Sequence, residues 1–389
     1  MGQRLPALHH WGQERAAGID LLRAFAIFSV MLYHLSSHGV ALPALVEQGW
    51  MGVDLFFVLS GYLIGWQLFS CYAGGSTPGW GGFLLGRALR ILPAYYVVLA
   101  LYFLLPDQRE GGTLQALWKF LTFTLNLYPQ WEQGLAYSHA WSLCIEQHFY
   151  LLLPATVWLL ARHANLSRIS LLLALLWGGA LLLRGYLWQT HVAASMAAGK
   201  VELAMQDFIV WIYHPTYARL DGLLLGVTLA MVRAFRPHWW VRLQSRSTAL
   251  LWGAGAIFLL CLQIPLMSLT GAMLLYPLVA LGCGALVLSV SSPASYLARQ
   301  RVPGARTLAT LAYSLYLTHR QIYHWLDTLL PELAKQSTVV AAAGYGTASL
   351  LAAAVLYLLV ERPALGLRRR LLAAPQGQPQ PDASRRSAA

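Results

Sequence analysis

Ten apolar stretches, each long enough to form a helix that crosses a bilayer, divide this chain from end to end. A hydrocarbon core takes about 20 residues of helix. The stretches run over 19–38, 50–71, 88–106, 140–161, 167–188, 216–234, 248–266, 270–291, 306–330 and 338–360. Of 389 residues, 58% are hydrophobic and only 11% are charged. Such a composition excludes a disordered chain, a collagen-like chain and an ordinary soluble enzyme. The expected fold class is an all-α integral membrane protein of about ten transmembrane helices. It would be multi-pass in the plasma membrane, the inner one in a bacterium, with the lipid bilayer as its first partner.

The net charge of +12 does not point to nucleic acid. Most of the 27 Lys and Arg residues sit between the apolar stretches, where they act as topology signals. With the N-terminus in the cytoplasm, clusters such as Arg87 and Arg90, Arg233 to Arg246, and Arg368 to Arg370 all fall inside. Both termini are therefore expected in the cytoplasm. Residues 113–128 are the one segment that would flip everything after them if they spanned. They are read as interfacial or re-entrant, with Lys119 and its aromatic neighbours near the headgroups.

The expected organisation is a cytoplasmic segment 1–18, a membrane domain 19–366 and a basic tail 367–389. The tail is rich in Pro, Gln, Ala and Arg and is expected to be disordered. No cleavage site follows the first stretch, so no removable signal peptide is expected. The long connections 107–139 and 189–215 would lie outside. Cys71, Cys144, Cys261 and Cys283 lie in or beside apolar stretches without a CxxC spacing. Neither a disulfide framework nor a metal centre is expected.

An ionisable side chain in mid-span costs about 2.5–3.5 kcal/mol on insertion scales, so each such residue needs a reason. Arg23 and His34 are eleven residues apart, roughly 16 Å along one helix face. Arg23 is then near the inner side and His34 in the outer half. Helix rise places Asp54, Glu146, Arg219 and Asp221 at the outer ends of three other spans, near the depth of His34. Five polar residues at one level resemble a site. For Glu146, Arg219 and Asp221, a salt-bridge network between helices is an equal reading.

The Arg23-x10-His34 spacing, GVDLFFVLSGYLIG, RALRILPAYY, AWSLCIEQHFYLLLP, ARLDGLLLG, AYSLYLTH and the closing ERP resemble membrane acyltransferase family 3. That family includes bacterial O-antigen and exopolysaccharide O-acetylases. The motifs run in order from about residue 18 to 370. The resemblance implies ten helices and transfer of an acyl group, usually acetyl, from cytoplasmic acyl-CoA to a carbohydrate hydroxyl at the outer face. Acyl-CoA would be a co-substrate, with no bound cofactor. A lipid-linked glycan or other cell-envelope carbohydrate would be the acceptor, and a partner protein or homodimer is left open.

Three features depart from the family pattern. An aromatic-rich run is replaced by Thr318 to Gln321 (THRQ), and the usual EEQFY reads Glu146 to Tyr150 (EQHFY). No fused SGNH-type domain is expected after the last apolar stretch.

On this reading His34 takes the proton from the acceptor hydroxyl. Asp54 orients its ring, as a carboxylate does in hydrolase triads. Arg23, Arg87 and Arg90 contact the CoA phosphates, although Arg87 and Arg90 also serve as plain positive-inside signals. Pro93 sets a helix start or a kink. His319 is either part of the site or a packed, bonded histidine. Ser142 is a conceivable acyl-enzyme nucleophile, but it has no clear base. Trp131, Tyr137 and Trp188 are candidates to stack on a sugar. The competing function is a transporter or exporter of a polar solute, with the same charges lining its path. The lack of an internal repeat disfavours it.

Overall fold

The computed structural model describes residues 17–127, 136–161 and 166–372, and among these every regular element is helical. The helices are α1 (Ala17–Leu35), α2 (Met51–Ala73), α3 (Trp80–Leu104), α4 (Leu117–Leu121), α5 (Trp141–Ala161), α6 (Leu166–Leu187), α7 (Ala193–Ala197) and α8 (Val201–Phe208). They continue with α9 (Asp221–Phe235), α10 (Pro237–Gln244), α11 (Ser247–Cys261), α12 (Tyr276–Val290), α13 (Tyr296–Arg299), α14 (Ala305–Leu329), α15 (Thr338–Leu356) and α16 (Arg362–Leu372). A helix lies in each of the ten apolar stretches. Among the described residues, six helical stretches can cross a membrane by length and composition: 17–38, 44–73, 80–104, 167–197, 271–290 and 338–372. The helix Ser247–Cys261 is apolar but shorter.

The outer surface of the bundle carries rows of exposed apolar side chains, among them Leu104, Leu175, Leu182, Trp252, Leu259 and Leu359. A water-facing monomer does not carry a continuous apolar belt of this kind; a bilayer accommodates it. The chain is a multi-pass membrane protein.

The centre is α2, which packs most closely on α9 and also against α1 and α12. Small residues make this possible. A Cβ on Gly61 would lie 2.2 Å from the Leu223 carbonyl oxygen, and one on Gly226 would lie 2.3 Å from that of Val58. Lipid supplies no hydrophobic drive between helices, so close backbone approach and dispersion must hold them. On the other side, α1 packs against α14, and α14 against α15.

Several expectations change here. The reading of 113–128 as a segment that does not span is not one of them, since residues 113–127 hold only the five-residue α4. Lys119 is buried and donates to Gln115 Oε1 at 3.1 Å, instead of reaching for headgroups. Pro93 does not start a helix, because α3 begins at Trp80 and runs through it. Residues 367–372, placed in a disordered tail, belong to α16; its remainder and residues 1–16 fall outside the described residues. The connection 189–215 is a helical hairpin. From α6 the chain continues through a π-helical turn, Trp188–Val192, into α7. It reverses at Gly199, whose φ is +71°, and returns through α8. The hairpin brings Met205, Phe208 and Ile209 over a cavity described next.

Candidate functional site

His34, in the last turn of α1, and His319, in the middle of α14, meet with Nδ1 and Nε2 2.8 Å apart. The protons can be placed by elimination. His319 Nδ1 lies 2.9 Å from the Leu315 carbonyl oxygen, which can only accept, so Nδ1 carries the hydrogen. In the neutral ring Nε2 is then an acceptor, and His34 Nδ1–H donates to it. The remaining lone pair of the pair is on His34 Nε2. A polarised chain from His34 through His319 to a helix carbonyl therefore presents a neutral imidazole as a base.

Of the pair, His34 lines a cavity of about 310 Å³, named the outer cavity after the depth expected for His34. Tyr33, Trp50, Trp141 and Tyr213 supply aromatic walls, and Ser138, His139 and Arg320 supply polar ones. Glu110, buried in the outer connection, holds this wall together. It pairs with Arg320 at 2.8 Å and accepts from the Tyr137 N–H at 3.3 Å and the Tyr102 hydroxyl at 3.4 Å. Arg320 also donates to Ser138 Oγ at 2.8 Å, and Gln321 accepts from the Glu110 N–H at 3.3 Å. The THRQ departure thus clasps the outer connection. Tyr137 takes a left-handed φ of 57° to enter this wall, a conformation costing roughly 1–2 kcal/mol for a residue with a Cβ. His139, in the connection just before α5, is buried and lies edge-on to His319, with ring centroids 5.5 Å apart. Burial, and secondly the Arg320 guanidinium, push its imidazole well below the ordinary histidine range.

Asp54 is not beside His34. Both of its carboxylate oxygens accept from Arg219 Nη2 at 3.0 Å. The Arg219 guanidinium lies 4.0 Å from the centroid of the Tyr276 ring and 4.6 Å from that of Tyr213. Equal depth along two helices says nothing about azimuth, and Asp54 faces α9. The orienting partner of His34 is a second imidazole. Asp221 pairs with Arg184 of α6 at 2.7 Å. Arg184 was missed, although it stands alone in LLLALLWGGALLLRGYL, where only a partner explains an arginine. Arg219 and Asp221 thus take the salt-bridge alternative and tie α2, α6 and α9 together.

Glu146, expected at the depth of His34, lines a second cavity of about 170 Å³ with Arg23, Arg87 and Arg90, named the inner cavity after the depth expected for Arg23. It accepts from Ser60 Oγ at 2.6 Å and from the Tyr150 hydroxyl at 3.0 Å. Arg87 donates to Gln67 Oε1 at 3.2 Å. Three guanidinium groups around one cavity suit an anionic ligand. His148, at the altered position of EQHFY, points elsewhere and bonds Thr216 Oγ1 at 2.7 Å.

Ser142 is bonded to the Tyr316 hydroxyl at 2.6 Å, not to an imidazole. Tyr316 O–H is already given to the His139 carbonyl at 2.7 Å, so Ser142 is the donor to Tyr316 and no base takes its proton. Tyr137 and Trp188 are buried in the core and cannot stack on a sugar; Trp131 lies outside the described residues.

No solved structure matches the chain. It is 28% identical over 335 residues to the peptidoglycan O-acetyltransferase OatA of Listeria monocytogenes, covering 80% of this chain and 50% of that one. It is 28% identical over 228 residues to the O-acetyltransferase OatA of Staphylococcus aureus, covering 55% of this chain and 34% of that one. The chain thus spans half or less of the length of these relatives. The family described as acyltransferase domain matches residues 16–358, nearly the whole helical bundle. The chain belongs to acyltransferase family 3.

Proposed function

We propose that this chain is a membrane O-acyltransferase. It moves an acyl group, acetyl by the names of its relatives, from cytoplasmic acyl-CoA to a hydroxyl of a cell-envelope carbohydrate, peptidoglycan foremost. The observation that carries this reading is the directed His34–His319–Leu315 chain, which leaves a lone pair on Nε2 of a residue lining a cavity large enough for a sugar.

In the reaction His34 Nε2 takes the acceptor hydroxyl proton as its oxygen attacks the thioester carbon. The carbon–sulfur bond then breaks, and the imidazolium returns the proton to the leaving thiolate. His319 Nε2 accepts from His34 Nδ1–H throughout and steadies the transient positive charge. The aromatic walls hold the sugar face, and Arg23, Arg87 and Arg90 hold the donor phosphates. The test is purified protein with acetyl-CoA and soluble peptidoglycan fragments. Free CoA thiol should appear in step with acetylated glycan. Solute movement across vesicles without thiol release would favour a transporter instead.

Donor binding is read at the inner cavity, so Arg23→Ala is expected to raise the apparent KM for acyl-CoA more than that for acceptor. Loss of one charge-assisted contact, about 1.5–3 kcal/mol, corresponds to roughly 10- to 100-fold. Arg23→Lys should recover only part, since an ammonium lacks the planar fork. An unchanged donor titration would remove Arg23 from the donor site. For topology we propose ten spans with both ends cytoplasmic. A cytoplasm-only reporter fused after Arg370 should be active, and activity of an exterior-only reporter there would refute the orientation.

A further inference from the structure

The inner and outer cavities are distinct and meet at a shared stretch of wall. They share only two lining residues, Val53 of α2 and Tyr316 of α14. Both are buried, and the Tyr316 ring lies three residues from His319, with centroids 6.1 Å apart. On the reading above, the thioester must pass this point, since the arginines stand on one side and His34 on the other. The Tyr316 ring is held across it by two hydrogen bonds to the start of α5. Its O–H goes to the His139 carbonyl, and Ser142 O–H goes to its oxygen. Both partners are small, local hydrogen bonds that a rotation of one side chain releases. Valine has no comparable lock.

We propose that Tyr316 is a removable partition between the donor and acceptor cavities, locked by Ser142 and the His139 carbonyl. It positions the thioester arm below the His34–His319 pair when it swings aside. When closed, it keeps outside water from the thioester. Without it, water replaces the acceptor hydroxyl: its oxygen bonds the acyl carbon, the carbon–sulfur bond breaks, and free acid and CoA thiol result. This proposal rests on the acyltransferase reading for its chemistry but not for its geometry, so it is tested in two arms.

In the first arm, Ala312→Cys places a thiol in the wall of the inner cavity, one turn from Tyr316. The full-length protein in vesicles of known orientation is treated from the outer face with a membrane-impermeant maleimide. The unsubstituted chain, with its four buried cysteines, sets the background. With Tyr316 intact, labelling should stay near background. Adding Tyr316→Ala should speed it about tenfold or more, as exposure of a thiol does. Equal labelling with and without Tyr316, fast or slow, overturns the partition.

In the second arm, acetyl-CoA turnover is followed with and without glycan. Tyr316→Phe keeps the ring and loses both bonds, and Ser142→Ala loses one. Thiol release unmatched by glycan acetylation should rise several-fold in Tyr316→Phe and less in Ser142→Ala. A ratio of hydrolysis to transfer that stays at the parent value overturns the shielding role. If no variant or parent releases thiol but the labelling result holds, the function assigned above fails and the partition stands.

Discussion

His34→Ala is expected to lower kcat by about 10²–10⁴-fold, the usual loss for a general base, with the protein still inserted and folded. His34 is half-buried at the end of α1, and its ring is hydrogen-bonded to that of His319. Little packing is therefore lost. The companion substitutions separate catalysis from positioning. His319→Ala removes the acceptor that fixes the His34 tautomer, and kcat should fall while KM for either substrate changes little. His319→Gln can accept from His34 through its amide oxygen and donate to the Leu315 carbonyl, so it should recover part of the loss. Steady-state kinetics on the three variants decides the matter. A His34→Ala enzyme with parental turnover would end its role as the base. A His319→Gln enzyme no better than His319→Ala would end the tautomer argument.

Asp54→Asn is expected to reduce activity mainly by unsettling the fold. Asp54 and Arg219 are 1% exposed each, and the amide would leave the arginine charge without its counter-ion. Breaking one partner of a buried pair costs about 3–5 kcal/mol. The midpoint of thermal unfolding in detergent should drop, and insertion yield should fall with it. The paired substitution Asp54→Leu with Arg219→Met replaces both charges by apolar side chains and should be closer to the parent in stability than Asp54→Asn. This differs from the expectation that Asp54 orients His34. An Asp54→Asn protein of parental stability and about 10²-fold lower kcat would restore that expectation. Fluorescence-detected unfolding alongside turnover distinguishes the two outcomes.

The positions of the longest helices were legible in the sequence. Apolar runs of bilayer length have no alternative way to satisfy their backbone groups in lipid, and a helix lies in each of the ten. It also singled out the residues with a cost to explain: His34, His319, Asp54, Arg219, Asp221, Glu146 and the inner arginines. Helix rise set Arg23 apart from His34, and the two line different cavities, but it set Glu146 level with His34, whereas Glu146 lines the cavity of Arg23.

Tertiary structure alone decided the partners. Depth is one coordinate, whereas contact depends also on the azimuth of each side chain and the crossing of the helices. Asp54 therefore turned to Arg219 and left His34 to a histidine 285 residues away. Glu146 faced the arginine cavity, and Arg184 was drawn in by Asp221. Glu110 carried no signal, because it sits in a polar connection where an acid is ordinary. Only the fold of that connection buries it against Arg320. The place of Tyr316 in the walls of both cavities was equally invisible, since it depends on how α14 meets the start of α5, where two hydrogen bonds hold the ring.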